Sequence, residues 1–316
     1  MTTPGPTPQA RVPWNAVSLF TAIVLLLGWL VVLPLWVGAG AASPLAPLLA
    51  SAMMWTPAVA TLIVVAAMKI PRRDVWRFLG VWPLRPWRRT VGFAIGALLG
   101  PIAITLLVVA VSAWFGLVEL DLVHFSGFAA QLAASGVDPA GLPLGTIVLT
   151  QLLTVPIAAV VPNALLALGE EIGWRGWLLT ALRPWGTWPA LVLTGVIWGL
   201  WHAPLILLGH NFGRTDVTGV LLMIGGCVAW GVLLGWTRLR TGSVWPAVFA
   251  HGALNAVGGI VLVLAEAGQP IDLAVVGPLG LVAWAVIAVI VAVMTAAGAF
   301  RDAGTDAQLG ERPAGA

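Results

Sequence analysis

The sequence predicts an all-α, polytopic integral membrane protein with about eight transmembrane helices in a single bundle. Three observations carry this reading. Of 316 residues, 60% are apolar and 9% are charged, and the mean hydropathy of +1.00 lies far above that of soluble domains. Apolar runs long enough to cross a bilayer recur along the whole chain, and no soluble domain, repeat or low-complexity block interrupts them. A single cysteine, Cys227, excludes both an intrachain disulfide and a zinc site of paired cysteines.

The elements follow in order. Residues 1–14 are polar and rich in Pro and read as a disordered tail. The run from Ala16 to Val37 is the first span, an uncleaved helix, because about 22 apolar residues exceed the 7–15 of a signal peptide core. Further spans are expected at Leu45–Met68, Val91–Gly116, Gly145–Leu182, Trp188–Gly209, Thr218–Trp236, Val244–Ala265 and Val275–Phe300. Together they form one transmembrane domain over 15–300, followed by a polar tail at 301–316. The fourth run is roughly 57 Å long if straight against a hydrocarbon core of about 30 Å, so a break is expected at Pro156 or Pro162.

Charge sets the orientation, because basic loops stay cytoplasmic. With both termini inside, thirteen of the fifteen Lys and Arg residues are cytoplasmic, Arg175 lies within a span, and Arg214 falls outside. The outer loops carry Glu119, Asp121, Asp138, Asp216, Glu266 and Asp272 instead. The loop from Lys69 to Thr90 reads as an ordinary positive-inside connection with an aromatic belt. His124 and His210 are expected at the outer surface, and Cys227 as a small buried apolar residue. The expected location is a prokaryotic plasma membrane, with membrane lipid as the surrounding partner and no nucleic acid.

Ionisable side chains inside spans are costly, so each is a functional candidate. They fall into three groups: Glu170, Glu171 and Arg175 in ALGEEIGWRGWLL, His202 in VIWGLWHAP, and His251 with Asn255 in FAHGALNAV. Glu171 and Arg175 stand four apart, acid first, and are expected to pair. Glu170 points about 100° away, on the face shared by Asn163 and Trp174, and is left free for chemistry. His202 carries Trp198 one turn before it. Counted from the turn near Gly186, Glu170 and His202 lie at equal depth and face each other, and all three groups are expected to meet in one cavity in the inner half of the membrane.

Glu170-Glu171-x-x-x-Arg175, then Trp198-x-x-x-His202, then His251-x-x-x-Asn255 resembles the signature of the CAAX-processing and bacteriocin-processing intramembrane proteases, called Abi or CPBP. The resemblance covers about 145–265, and its departure is Trp198 where the family usually has Phe. It implies an eight-helix fold in which Glu170 is the base, Glu171 and Arg175 support it, and His202, His251 and Asn255 complete the active site. It also implies a hydrophobic or prenylated peptide substrate, such as a CaaX tail or a bacteriocin leader, entering laterally or from the cytoplasm.

The residue types suit peptide hydrolysis. A carboxylate in a partly apolar cavity acts as a base toward water, and imidazole or amide groups stabilise the tetrahedral oxygen or hold the water. Two cofactor readings stay open, no cofactor at all or one divalent metal such as zinc held by His202, His251 and Glu170. Two other functions compete with the peptidase. A transporter needs charges along a through-path, whereas a non-catalytic scaffold or immunity protein would be expected to lack a motif member.

Overall fold

The computed structural model describes residues 11–84 and 86–301, so the predicted tails lie outside the described residues except for 11–14 and Arg301. The bundle opens with α1 (Trp14–Trp36), α2 (Ala46–Met53), α3 (Thr56–Met68), α4 (Val75–Leu79), α5 (Trp87–Trp114) and α6 (Ser126–Ala134). The central hairpin consists of α7 (Leu144–Ala158), α8 (Ala164–Glu171), α9 (Leu179–Leu182), α10 (Thr187–Trp201) and α11 (Ala203–Ile206). The chain closes with α12 (Val217–Thr241), α13 (Trp245–Val257), α14 (Ile260–Leu264), α15 (Leu273–Val276) and α16 (Leu281–Ala296).

Among the described residues, seven helical runs are long and apolar enough to cross a membrane. The eighth expected span is shorter: α10 has 15 residues and stops at Trp201. Pro204 has no N–H to bond back one turn, so the hydrogen-bond ladder is interrupted between α10 and α11, although His202 between them keeps a helical backbone at φ −72° and ψ −13°. The chain is therefore an all-α integral membrane protein, and the run expected as its fifth span is the one too short to count among the seven.

The run from Leu144 to Trp185 holds 42 residues, and it does break. α7 continues through Pro156, whereas Val161 leaves the helical region with φ −140° and ψ 113° just before Pro162. Proline disfavours a helical backbone at the residue before it, which selects Pro162 as the bend. A second irregularity, a wide π turn over Ile172–Leu178, follows directly on the Glu170–Glu171 pair. No pattern of apolar residues announces it.

Side-chain contacts gather the helix ends into two groups. At one end Trp14 meets Trp185 edge-on at 5.3 Å, Trp188 lies 4.8 Å from Phe300, and Trp236 Nε1 donates to Ala299 O at 3.0 Å. At the other, Trp36 Nε1 donates to Pro204 O at 3.0 Å and Arg214 pairs with Asp272 at 2.7 Å. There too α6 packs on α14, with Gln131 Nε2 donating to Leu262 O at 2.7 Å. At this end Asp216 caps α12 through the backbone N–H of Thr218, and hydrogen bonds from Thr218 hold its carboxyl below the usual range. These are the two sets of loops that the charge pattern separates.

The loop from Lys69 to Thr90 is more than a solvated connection. Arg238, expected in a cytoplasmic loop, is buried on α12, where its Nη2 donates to Phe78 O at 2.9 Å and its Nε to Arg175 O at 3.1 Å. A buried guanidinium needs several acceptors, and the α4 loop supplies one of them. Gly80, at φ +73°, turns the loop beneath it, where a Cβ would stand 2.7 Å from Arg238 Cζ.

Close helix packing in a bilayer relies on small residues, since lipid gives no hydrophobic drive between helices. Gly195 and Gly199, one turn apart on α10, meet α12 backbone to backbone: a Cβ on Gly195 would lie 2.7 Å from Val228 Cα, and one on Gly199 would clash with Ile224 Cα. By contrast, a Cβ on Gly96 of α5 meets nothing within 4 Å. Gly199→Leu is expected to lower the thermal midpoint in detergent, at a cost of about 1–3 kcal/mol or more. Gly96→Ala should leave the midpoint unchanged or raise it slightly. Equal behaviour of the two variants would refute this packing.

Candidate active site

The site is built around α8. Its Gly169 face lies against the α2–α3 junction, where a Cβ would sit 2.7 Å from Met54 O, so the helix approaches too closely for any larger residue. Rotations of about 100° per residue then turn Glu170 toward a cavity and Glu171 toward α13. Both glutamates are buried.

Glu171 is the hub of a buried ionic cluster. Its Oε1 accepts from Arg175 Nη1 at 2.7 Å, as the i,i+4 spacing predicts, and from His251 Nδ1 at 2.8 Å. Arg175 also covers the Trp198 ring, with Cζ 4.3 Å from its centroid. Arg175 Nε and Nη2 and Glu171 Oε2 are buried without a protein partner. The cluster is therefore incompletely satisfied, and it depends on each charge having its opposite.

Glu170 has a different setting. Oε2 accepts from two indole N–H groups, Trp198 at 2.7 Å and Trp174 at 3.2 Å. Its Oε1 stands 3.9 Å from His251 Nε2. The expected sharing of a face by Glu170, Asn163 and Trp174 is found: Asn163 lines the cavity that Glu170 borders, and Trp174 is hydrogen-bonded to it. What the residue pattern did not reveal is that Trp198 is a hydrogen-bond donor to the carboxylate. A phenylalanine keeps the ring and has no N–H to give. An indole four residues before a buried histidine, facing a buried acid, was the available signal.

His202 donates from Nδ1 to Trp198 O at 2.9 Å, with Cys227 Sγ 3.9 Å away. Both imidazoles thus have an acceptor at Nδ1, a carbonyl for His202 and a carboxylate for His251. In neutral form that places the proton on Nδ1 and leaves Nε2 as a lone pair. Cys227 is fully buried as expected, and His124 is exposed. His210 is exposed as expected and also borders the cavity.

The cavity has a volume of about 450 Å³ and brings together Glu170, Trp198, His202, His251 and Asn255. Glu171 and Arg175 stand behind it. From Glu170 it continues past Met223 and Leu262 to Asn211, Leu273 and Pro278, at the end of the bundle bearing the acidic loops.

A catalytic zinc would need three of these side chains to converge. Among the described residues, no group of three His, Cys, Asp or Glu side chains is gathered closely enough to hold a metal ion. With Oε2 of Glu170 and Nδ1 of both histidines engaged, the atoms left as candidate donors are Oε1 and the two Nε2 atoms. The arrangement does not fit a three-ligand site.

Residues 147–257 match the family model described as type II CAAX prenyl endopeptidase Rce1-like. That segment, about a third of the chain, is similar to the CAAX prenyl proteases. The matched residues fall inside the segment 145–265 that carries the three motifs. The chain is 27% identical over 93 residues to CAAX prenyl protease 2 of Methanococcus maripaludis, a stretch of 27% of this chain and 34% of that protein. The chain thus spans about a third of the length of the curated relative it matches.

Arg175→Ala is expected to cost about 3–5 kcal/mol, because it leaves Glu171 buried and underpaired. The readout is folded yield and thermal midpoint in detergent, and an unchanged midpoint would remove the cluster from the account of stability. Trp198→Phe should fold normally, since its ring and the cation contact persist.

Proposed function

We propose that this chain is an intramembrane endopeptidase that hydrolyses a peptide bond of a hydrophobic, membrane-embedded or lipidated substrate, with Glu170 as general base. The observation that carries the proposal is the asymmetric holding of Glu170. Two indole N–H groups fix Oε2, while Oε1 faces His251 and the cavity. The matched family model and the similar CAAX prenyl protease support a proteolytic reading, and prenylated peptides are one substrate class that they suggest.

In this mechanism a water lies between Glu170 Oε1 and His251 Nε2. Oε1 takes one proton, and the Nε2 lone pair accepts a hydrogen bond from the second O–H, holding the oxygen in line with the scissile carbonyl. The water oxygen bonds to the carbonyl carbon, and the negative charge passes to the carbonyl oxygen. Asn255 Nδ2 is the donor for that oxyanion. Glu170 then returns its proton to the amide nitrogen as the C–N bond breaks, leaving an acid and an amine. His202, fixed by Trp198 O, lines the wall and presents an acceptor to the bound peptide. Glu171 and Arg175 orient His251 and do not touch the reacting atoms.

The reading includes a prokaryotic plasma membrane with both termini cytoplasmic, supported by the thirteen cations that this orientation keeps inside. It includes no metal cofactor, supported by the dispersion of the donor atoms.

Glu170→Gln should abolish Glu170-dependent cleavage while the protein still inserts and remains monodisperse, and retained turnover would eliminate Glu170 as base. Asn255→Ala should lower kcat by about 10²–10³ with a smaller change in KM. Trp198→Phe should lower kcat by about ten- to a hundredfold through loss of one hydrogen bond to a charged group. Activity should survive exhaustive chelation. Stoichiometric zinc in the active protein, lost together with activity in His202→Ala, would overturn the metal-free mechanism.

A further inference from the structure

We propose that the groove between α5, α12, α13 and α16 binds one anionic phospholipid, whose acyl chain lies in the groove and whose phosphate meets the arginines at its end. The site is independent of the peptidase reading, because it lies on another face of α13 from the reacting groups.

α5 packs along α13 and α16 along α12, yet the four helices do not close where they meet. An apolar cavity of about 400 Å³ remains between them. Its wall follows α5 from Gly92 to Ile104, roughly 18 Å at 1.5 Å per residue. That matches the hydrocarbon depth of one leaflet, half of a core of about 30 Å. The polar side chains in the wall already have partners: Thr237 Oγ1 donates to Leu234 O at 2.7 Å, Trp236 Nε1 to Ala299 O at 3.0 Å and Trp230 Nε1 to Pro278 O at 2.7 Å. A groove whose side-chain donors are all engaged suits hydrocarbon and rejects a polar guest.

The helices stay apart because side chains are missing on α5. Gly92, Gly96 and Gly100 border the groove, and a Cβ on any of them meets nothing within 4 Å. Gly169, Gly195 and Gly199 are explained by backbone pressed against them. These three have no such neighbour, although glycine weakens a helix interior relative to alanine.

The cations at one end select the lipid. There Phe93 and Trp236 stand with ring centroids 5.3 Å apart, and Arg89 Cζ lies 5.8 Å from the Phe93 ring. On its other side Trp236 walls a small recess bordered by Arg240 and Arg301. Arg89 and Arg301 are exposed, and Arg240 is half-buried. Among the described residues, no Asp or Glu lines the groove or the recess. Guanidinium groups fit phosphate oxygens in pairs of hydrogen bonds, and basic side chains at headgroup level attract anionic lipid. A second copy of the chain docked by twofold symmetry would set the same cations against each other. The reacting peptide is not the occupant either, since the groove shares no lining residue with the cavity of Glu170: Ala250 lines the groove, whereas His251 and Asn255 line the cavity.

Native mass spectrometry of the full chain in mild detergent tests this, with phosphatidylglycerol and phosphatidylcholine of identical acyl chains. The native chain should hold one phosphatidylglycerol about tenfold more tightly than phosphatidylcholine. Its thermal midpoint should rise at a phosphatidylglycerol concentration where phosphatidylcholine has no effect. Gly96→Leu fills the groove from a position with room for a side chain, so it should weaken phosphatidylglycerol binding about tenfold and keep the native midpoint without lipid. The combined variant Arg89→Ala, Arg240→Ala and Arg301→Ala should bind the two lipids equally, and it decides the matter if Gly96→Leu does not fold. Equal binding of both lipids by the native chain, or unchanged phosphatidylglycerol binding in folded Gly96→Leu or in the combined variant, would overturn the proposal. So would a dimer that Gly96→Leu dissociates, which would give the groove to a second copy.

Discussion

Everything in the site depends on one carboxylate oxygen. Glu171 Oε1 is shared by Arg175 from its own helix and by His251 from α13, and it lies where neither water nor lipid offers an alternative partner. An ion in this environment needs an opposite charge at hydrogen-bond distance. The arrangement therefore fixes the rotation of α8 and the register of α13 together. Arg175 passes the constraint on through its stacking over Trp198, whose N–H in turn holds Glu170. A surface ion pair of the same geometry would be worth little. Buried here, it keeps three helices in alignment.

That alignment has to be compatible with helices that pack through small residues. α10 meets α12 through Gly195 and Gly199, and α8 meets the α2–α3 junction at Gly169. Close backbone approach brings Trp198 within reach of Glu170 and lets the bulky indoles fill the space between helices. Trp174, Trp177, Trp198 and Trp201 are all buried, and each finds an acceptor for its N–H. Buried tryptophans thus serve both as volume and as hydrogen-bond donors, so the interior can be dense without being wholly apolar.

The bundle was legible in the sequence because apolar run length and the distribution of cations are direct physical consequences of a bilayer. The Glu171–Arg175 pair was legible for an equally local reason, the spacing of one helical turn. Glu170's separate direction followed from the same rotation. The partner of His251 was not legible, since Glu171 and His251 are 80 residues apart and nothing local fixes the register of α13 against α8. The wide turn at Ile172–Leu178 was hidden for a similar reason: glycines and large aromatics in that stretch fit an ordinary helix equally well. Arg238 was read as a loop cation because its position near a span end is the usual place for one, and its burial depends on the fold of the α4 loop. The course of the cavity was not legible either, because it depends on the loops after α11 and α14, which are tertiary features.

The shortness of α10 has a consequence for the surrounding lipid. Fifteen residues rise about 22 Å, several ångströms less than a hydrocarbon core of about 30 Å. A span that falls short is accommodated when the leaflet beside it thins. His202 stands at the end of this helix, on the wall of the cavity, so thinning of that leaflet would bring the headgroup layer and its water closer to the cavity. Bilayer thickness would then bear on how wet the cavity is: long-chain lipids oppose that thinning, and short-chain lipids match the bundle at this point.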